Sequence, residues 1–190
     1  MLILASASPR RRTLLEQVGY RFEVRPAHIP EDPLPAEDPI AYVTRLARQK
    51  AETVYRDFAN TSPRPETIVL GADTTVTVDD TILAKPEDAA DAARMLRLLS
   101  GRTHRVITGV ALVSAERAEV AAEVTKVQFL SLSEADIAAY VATGEPMDKA
   151  GAYAVQGHAA RWIPRIDGCY FNVMGLPLAL VCSLLDTWHS

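Results

Sequence analysis

The chain has 190 residues, of which 48% are hydrophobic and 23% are charged, and its formal net charge is -4 at pH 7. A chain of this length and composition predicts one domain over residues 1–190 with a sizeable core. The negative net charge argues against a general nucleic-acid-binding protein, because such proteins usually carry a strong basic excess. The longest apolar run is too short to span a bilayer and the start lacks a signal-type segment, so we expect a cytoplasmic protein without a membrane partner.

The start of the chain predicts a turn that binds an anion. Residues 1–4 are apolar and typical of a β-strand, and Ser8 followed by Pro9 is typical of the first positions of a helix. Arg10 and Arg11 then fall in the first helical turn, where positive charge is unfavourable unless an anion lies between the arginines and the free N–H groups. A phosphate would supply that anion. The alternative is that both arginines are ordinary surface charge.

A short strand at Phe22–Arg25 and a proline-rich surface loop precede a long helix that opens at Asp38. Apolar residues recur in this helix at helical spacing from Ile40 to Phe58. Lys50 lies on the apolar side, and it is one of only four lysines among 20 basic residues. An inward lysine needs a partner, and two alternatives stay open: a salt bridge or snorkelling of the ammonium to the surface, and a place in a ligand cleft.

The continuous apolar run Ile68–Leu70 is typical of a buried central strand. Asp73 is expected at the end of this strand, where open α/β sheets place side chains that contact ligands. Gly71, together with Ala72, is expected to leave room for a bulky substrate. The alternative for a single aspartate after a strand is a turn or cap residue.

The next segment predicts a hairpin through Asp79 and Asp80, after which Pro86 ends the second strand and fixes where the Lys85 ammonium emerges. The remaining predicted elements continue the alternation of strands and helices: a helix at Glu87–Leu99, strands at His104–Val113 and Glu119–Leu130, a helix with a capping box at Ser133 and Asp136, and a last helix ending near Trp188.

Residues 144–157 contain many small and turn-forming residues, which predicts a shaped loop. Gln156 in this loop offers both a donor and an acceptor, the combination that the edge of a nucleotide base requires. Cys169 and Cys182 lack the spacing of metal ligands, and the four histidines are scattered singly. We therefore expect reduced thiols and no zinc site.

These motifs together resemble the Maf family of nucleoside triphosphate pyrophosphatases, which is historically linked to inhibition of septum formation. The resemblance covers essentially the whole chain and rests on separated motifs: Ala5-Ser6-Ala7-Ser8-Pro9-Arg10-Arg11, Gly71-Ala72-Asp73-Thr74, Lys85-Pro86, Glu145-Pro146 through Gln156-Gly157, and Val173-Met174-Gly175-Leu176-Pro177. It implies an α/β fold, similar to inosine triphosphatase, in which a mixed twisted sheet with flanking helices forms two lobes around a central cleft. It also implies a homodimer.

The resemblance further implies an active site. Asp73 is the implied proton acceptor, and Glu31 is its implied partner in holding a divalent cation, Mg²⁺ or Mn²⁺, with Asp32 as the local competitor of Glu31. The implied ligands of the nucleoside triphosphate are Ser6, Arg10, Arg11, Lys50, Thr74, Lys85 and Gln156.

The motif Ala72-Asp73-Thr74-Thr75, together with Gln156, resembles the branch of the family that hydrolyses dTTP and UTP to the monophosphate and pyrophosphate. This implies a house-cleaning role in nucleotide metabolism, which would extend to modified pyrimidine nucleotides.

Two alternatives of other classes stay open. A nucleotide-sensing regulatory protein that inhibits septum formation would use the same cationic residues without turnover, although an unpaired carboxylate at Asp73 would then repel the phosphates. A nucleic-acid binder would use the basic run Arg10–Arg12, but the acidic balance of the chain and its lack of interleaved aromatic residues argue against this alternative.

Overall fold

The computed structural model describes residues 1–61, 66–79 and 81–188, which form a mixed α/β fold. The described strands are β1 (Leu2–Leu4), β2 (Phe22–Val24), β3 (Ile68–Val78), β4 (Thr81–Leu83), β5 (Thr103–Val113), β6 (Ala118–Gln128) and β7 (Arg165–Asp167). The described α-helices are α1 (Pro9–Gln17), α2 (Pro39–Thr61), α3 (Ala89–Leu99), α4 (Glu134–Ala142), α5 (Tyr170–Met174) and α6 (Leu178–Trp188). Short 3₁₀ helices at Glu145–Asp148, Ala150–Ala152 and His158–Trp162 lie between α4 and β7 in the chain. None of the described helices is both long enough and apolar enough to cross a membrane.

The described strands form a seven-stranded sheet in the order β2-β1-β3-β5-β6-β7, and β4 pairs with β3. β1 runs parallel to both of its neighbours, with Leu2 opposite Phe22 on β2 and opposite Ile68 on β3. β4 is antiparallel to β3, and β7 is antiparallel to β6. Because both orientations occur, the predicted mixed sheet is confirmed. The predicted hairpin is the β3–β4 pair, although Asp80 itself lies outside the described residues.

The chain divides into two compact units. The first unit contains Met1–Asp73, Thr108–Glu123 and Gly175–Ser190. The second unit contains Thr74–Ile107 and Val124–Met174. The single-domain organisation and the central cleft stay predictions.

In the first unit, α2 packs its apolar face on the sheet. The buried cluster joins residues of α2 to residues of β1, β3 and β5: Ala47, Ala51, Val54, Phe58, Ile3, Val69, Ala111 and Val113. The predicted apolar face of α2 is therefore confirmed from Val43 to Phe58, whereas Ile40 at its start is exposed.

Gly71 of β3 allows α2 to lie unusually close to the sheet. A Cβ atom at Gly71 would lie 2.1 Å from the carbonyl oxygen of Ala47 and 2.9 Å from the backbone nitrogen of Ala51. The space beside Gly71 is thus filled by the α2 backbone. The expectation that this glycine leaves room for a substrate is wrong.

Asp73 lies inside β3, so the expectation that it ends the strand is wrong. The physical reason is that two different partners extend the strand: β1 pairs with residues 68–70, and β4 pairs with residues 76–78. Asp73 nevertheless lies beyond the last β3 residue that pairs with β1, on the carboxyl side of the parallel pairing.

The second unit has its own core, in which α3 and α4 contribute apolar residues. This core includes Leu96, Leu99, Phe129, Ile137, Tyr140 and Trp162. Helix α3 begins at Ala89, slightly later than predicted, because the Asp88 side chain accepts a hydrogen bond from the Asp91 N–H and caps the helix. The predicted capping box of Ser133 and Asp136 is confirmed at the start of α4.

The close approach at Gly71 leads to a stability prediction. Gly71→Ala should lower the free energy of unfolding by about 3 kcal/mol or more, because the added methyl group must displace the α2 backbone. Gly19→Ala is the matched control: φ at Gly19 is +83°, but no atom lies within 4 Å of an added Cβ. Only backbone strain of about 1 kcal/mol is expected there. Urea denaturation of both variants measures the difference, and equal losses would contradict the packing argument.

Candidate active site

The predicted turn at the start of the chain is built around two serines. Ser8 caps α1, since its side chain accepts a hydrogen bond from the Arg11 backbone N–H at 3.5 Å, and Pro9 occupies the start of the helix. Ser6 is buried, and its Oγ accepts from the Ser8 N–H at 3.2 Å. The described first turn of α1 contains no acidic residue. The positive end of the helix dipole and the arginine side chains therefore share one region, as expected for an anion site.

Arg11 completes the hydrogen bonding of β3 where β1 stops. The Ala5 N–H donates to the Leu70 carbonyl at 2.8 Å, directly after the last residue of β1 that pairs with β3. The Arg11 guanidinium then donates from Nη1 to the Ala72 carbonyl at 2.8 Å, which faces the same edge because strands repeat every two residues. Its Nε donates to the Gly175 carbonyl at 2.8 Å. Arg11 therefore has a structural role, while its contact with a phosphate stays a prediction.

Arg10 and Arg11 are both half-buried. Burial lowers the pKa of Arg11 from its ordinary value of 12.5, the Asp73 carboxylate opposes this shift, and the charge of Arg10 adds to it. Because a guanidinium stays protonated in proteins, two positive charges lie close together near Ser6, whose Oγ accepts from Arg11 Nη1 at 3.2 Å. A nearby anion would relieve their repulsion.

Lys50, the inward-facing lysine of α2, forms salt bridges with two carboxylates. Lys50 is 7% exposed, and its Nζ lies 2.6 Å from Asp73 Oδ1 and 2.6 Å from Glu31 Oε1. Asp73 is also 7% exposed, whereas half of the Glu31 side chain is accessible to solvent. The structure shows the salt bridge of Lys50, and its place in a ligand cleft stays a prediction. It also brings together three residues that the sequence assigns to one site.

The environment of Asp73 suits a proton acceptor. Burial raises the pKa of Asp73 above its ordinary value of 3.8, and the charges of Lys50 and Arg11 oppose this rise. The Glu31 carboxylate contributes a smaller rise. A carboxyl group whose pKa is raised accepts a proton more effectively near neutral pH, while the hydrogen bond from Lys50 favours its ionised form.

Two residues of α2 that the sequence analysis did not single out position the loop that carries Glu31. Tyr42 is buried, and its hydroxyl donates to the Glu31 carbonyl at 2.8 Å. Arg45 forms a two-point pair with Glu37, from Nε to Oε1 at 2.6 Å and from Nη2 to Oε2 at 2.7 Å. Arg45 also donates to the Asp32 carbonyl at 3.2 Å. These bonds tie the proline-rich loop to α2.

The spacing of Tyr42 is the signal that could have identified it. Tyr42 lies eight residues before Lys50, so both residues share one face of α2. Burial raises the pKa of Tyr42 to about 12, and its hydroxyl therefore stays a donor at neutral pH. Glu31 contacts Lys50, whereas Asp32 offers its backbone carbonyl to Arg45. The structure thus favours Glu31 over its competitor.

The carboxylates of Glu31 and Asp73 fit a divalent cation that is shared with a nucleotide. Both present hard oxygen donors that converge on one positive charge, the Lys50 ammonium. Within residues 1–61, 66–79 and 81–188, no group of three or more His, Cys, Asp or Glu residues could hold a metal ion. Two carboxylates suffice for Mg²⁺, which commonly takes its other ligands from substrate phosphates and water.

Three of the implied nucleotide ligands belong to the second unit. Thr74 is half-buried on β3, whereas Lys85 and Gln156 are exposed. The Ala84 carbonyl, directly before Lys85, accepts from the Gly151 N–H at 3.1 Å, which ties the Lys85 segment to the loop that contains Gln156. The contacts of these three side chains with a nucleotide stay predictions.

Comparison with known proteins gives close relatives over nearly the whole chain. The family described as "Maf-like protein" matches residues 1–188. A Koribacter versatilis protein named dTTP/UTP pyrophosphatase is 50% identical over 184 residues, which cover 97% of this chain and 92% of that protein. A Geobacter sulfurreducens protein of the same name is 53% identical over 182 residues, which cover 95% of this chain and 92% of that protein.

A solved structure, the Ham1 protein of Staphylococcus aureus, is similar to this chain with a TM-score of 0.47 and 10% identity over 98% of each chain. That likeness is too weak to support an argument. The family match and the two relatives at about 50% identity are independent of this structural likeness. They show that the chain belongs to the Maf-like protein family.

Proposed function

We propose that this protein is a nucleoside triphosphate pyrophosphatase that hydrolyses dTTP and UTP to the nucleoside monophosphate and pyrophosphate. The relatives named dTTP/UTP pyrophosphatase support this substrate class. The observation that carries the reaction is the buried Asp73 carboxylate, which Lys50 holds at 2.6 Å and which lies within electrostatic reach of Arg11. Modified pyrimidine nucleotides belong to the same proposed substrate class.

Asp73 acts in this proposal as the proton acceptor. Cleavage between the α- and β-phosphates requires a water molecule directed at the α-phosphorus and neutralisation of charge on the leaving pyrophosphate. The water transfers its proton to Asp73, whose raised pKa favours this transfer near neutral pH. Lys50 orients the carboxylate through its hydrogen bond from Nζ to Oδ1.

The triphosphate binds to the cationic residues in this proposal. Arg10, Arg11, Lys50 and Lys85 together would offset most of the roughly fourfold negative charge of a nucleoside triphosphate. The Ser6 hydroxyl would add a hydrogen bond. Before the nucleotide binds, the carboxylates that face Lys50 limit the repulsion among the positive charges.

We propose that Glu31 and Asp73 hold a divalent cation, Mg²⁺ or Mn²⁺, together with the phosphates of the nucleotide. When bound, the cation supplies charge neutralisation at the phosphate oxygens. The oxygen donors of the two carboxylates and their convergence on one positive charge support this proposal.

The base is recognised in this proposal by Gln156 and Thr74. The Gln156 amide would donate to a carbonyl of uracil or thymine and accept from its N3–H, and the Thr74 hydroxyl would add one contact. Cytosine presents the opposite donor and acceptor pattern at two positions. It would therefore leave polar groups unpaired.

A nucleotide-sensing regulatory protein that inhibits septum formation is the second candidate function. The specific observation in its favour is the Asp73–Lys50 pair. Because Lys50 balances the carboxylate, Asp73 repels a bound triphosphate less than an unpaired aspartate would. The separation of binding from turnover described below distinguishes the two functions.

We also propose that the protein acts in the cytoplasm as a homodimer on free nucleotides, without a nucleic-acid or membrane partner. The net charge of -4 supports the absence of a nucleic-acid partner, because backbone phosphates select proteins with a basic excess. The resemblance to the family supports the homodimer.

The first prediction concerns the reaction. The purified protein with dTTP or UTP and Mg²⁺ or Mn²⁺ should release pyrophosphate and the nucleoside monophosphate, and a chelator should abolish the activity. A pyrophosphate-release assay combined with chromatography of the nucleotides measures both products. Formation of nucleoside diphosphate and orthophosphate, or full activity in the chelator, would contradict the proposal.

A second prediction separates turnover from binding. Asp73→Asn should lower kcat by about two orders of magnitude or more, as expected for a lost general base, while affinity for the metal-free nucleotide is kept or increased because a negative charge is removed. In the wild type, activity should fall as pH decreases through the raised pKa of Asp73, because the ionised form is the active one. Steady-state kinetics and calorimetric titration measure the two effects.

The matched control for this experiment is Asp32→Asn, which should behave as wild type because Asp32 contributes its backbone carbonyl and not its carboxylate to Arg45. If the affinity of Asp73→Asn falls in proportion to kcat, Asp73 is mainly a binding or metal-holding residue.

Base recognition gives a third prediction. Gln156→Ala should lower kcat/KM for dTTP and UTP while leaving the lower values for CTP, ATP and GTP nearly unchanged. Each unpaired polar group costs roughly 1 to 3 kcal/mol, so the wild type should favour dTTP over CTP by about tenfold to a hundredfold. A panel of the five nucleotides measures these ratios. An equal loss on all five would show that Gln156 supports the loop and does not read the base.

A further inference from the structure

Gln156 lies at the tip of a short turn. The Gly157 N–H donates to the Ala154 carbonyl at 3.1 Å, which closes a turn with Val155 and Gln156 at its centre. Val155 is buried, whereas Gln156 is exposed. The turn therefore buries one side chain and presents the other to solvent.

Tyr140 and Glu145 accept hydrogen bonds from the backbone on both sides of this turn. The Ala154 N–H donates to the Tyr140 hydroxyl oxygen at 3.1 Å, and the Tyr140 hydroxyl donates to Glu145 Oε1 at 2.7 Å. The same Oε1 atom accepts from the His158 N–H at 3.1 Å. Ala154 and His158 lie two residues before and two residues after Gln156. One carboxylate thus fixes both sides of the position that would read the base.

The Glu145 carboxylate also packs directly on the turn. A Cβ atom at Gly157 would lie 2.0 Å from Glu145 Oε1 and 2.5 Å from its Cδ. The φ angle of Gly157 is -103°, a value that any residue adopts, so it is the carboxylate that excludes a side chain here. The position of Glu145 therefore determines how closely the turn can lie against its support.

Tyr140 is itself rigidly held. Tyr140 is 2% exposed, and its ring packs edge-to-face on Trp162 with 5.4 Å between the ring centroids. Burial, together with the neighbouring Glu145 carboxylate, raises the pKa of Tyr140, so the hydroxyl keeps the proton that it donates. The hydrogen-bonded support of the turn is thus anchored in the core of the second unit.

We propose that Glu145, held by Tyr140, is a positioning residue that sets the base selectivity of the site by fixing the Gln156 turn. The proposal rests on the proposed function, in which Gln156 reads the edge of uracil or thymine. Functional side chains need to be held within about 0.5 Å of their productive geometry by the residues that support them. A turn released at Ala154 and His158 would present the Gln156 amide in several positions, and it would discriminate less between bases.

The central experiment compares two substitutions of Glu145. Glu145→Ala should lower the ratio of kcat/KM for dTTP to kcat/KM for CTP by about tenfold, with a much smaller change for CTP itself. Glu145→Gln is the conservative control: its amide oxygen still accepts from Tyr140 and His158, so it should keep the ratio within about twofold of wild type. If both variants lower this ratio equally, the hydrogen bonds that Glu145 accepts are not the cause of selectivity, and the proposal is overturned.

Two further variants test the coupling between the support and the turn. Gly157→Ala removes no polar group but forces the turn away from Glu145, so it should lower the same ratio. The double variant Glu145→Ala/Gln156→Ala should lose no more selectivity than Gln156→Ala alone, because residues that act through one another give non-additive effects. Additive losses would show that Glu145 acts independently of Gln156, and would overturn the proposal.

The outcomes separate this proposal from the function on which it rests. If Gln156→Ala leaves the dTTP to CTP ratio unchanged, base reading by Gln156 fails, and the positioning role fails with it. If Gln156→Ala lowers the ratio but Glu145→Ala and Gly157→Ala do not, only the positioning role is overturned. If Glu145→Ala does not fold, as judged by its thermal melt, Tyr140→Phe provides the same test, because it keeps the ring and removes both hydrogen bonds of the hydroxyl.

Discussion

The first unit depends on one buried ammonium group that is shared by two carboxylates. Burial of a charge is costly unless the charge is paired, so Lys50 can lie within the apolar face of α2 only because Asp73 and Glu31 contact it at 2.6 Å. This pairing requires α2 to lie close to β3, which Gly71 permits, and it requires the proline-rich loop to return to α2, which Tyr42 secures. The packing of the helix, the course of the loop and the charge of the site are therefore consequences of the same interaction.

Arg11 shows how a residue implied to bind the substrate also contributes to the fold. Its guanidinium donates to the Ala72 carbonyl of β3, beyond the residues that pair with the short strand β1, and to the Gly175 carbonyl. A buried carbonyl without a donor is destabilising, which is sufficient reason for an arginine at this position. The neighbouring Arg10 and the buried Ser6 hydroxyl then complete a cationic turn beside a helix N-terminus, where an anion is favoured.

In both units, the hydroxyl of a buried tyrosine helps to hold a loop with a proposed functional role. In the first unit, the buried hydroxyl of Tyr42 donates to the loop that carries Glu31. In the second unit, the buried hydroxyl of Tyr140 donates to Glu145, which supports the Gln156 turn. Each tyrosine has a pKa raised by burial, so each hydroxyl stays a donor over the physiological pH range. Residues proposed for catalysis and for base recognition thus have separate supports, and substitutions in one support should leave the other intact.

The sequence by itself determined the features that depend on neighbouring residues: the cap at Ser8, the inward direction of Lys50 and the alternation of strands and helices. Strand β7 and helix α5 were not predicted, because β7 has one apolar residue between two charged ones and α5 has only five residues, so neither segment carries a recognisable pattern. Only the tertiary structure decided that Asp73 lies inside a strand and that Glu31, and not Asp32, contacts the lysine. Those outcomes depend on strand pairing and on contacts between residues distant in the chain, which local spacing does not encode.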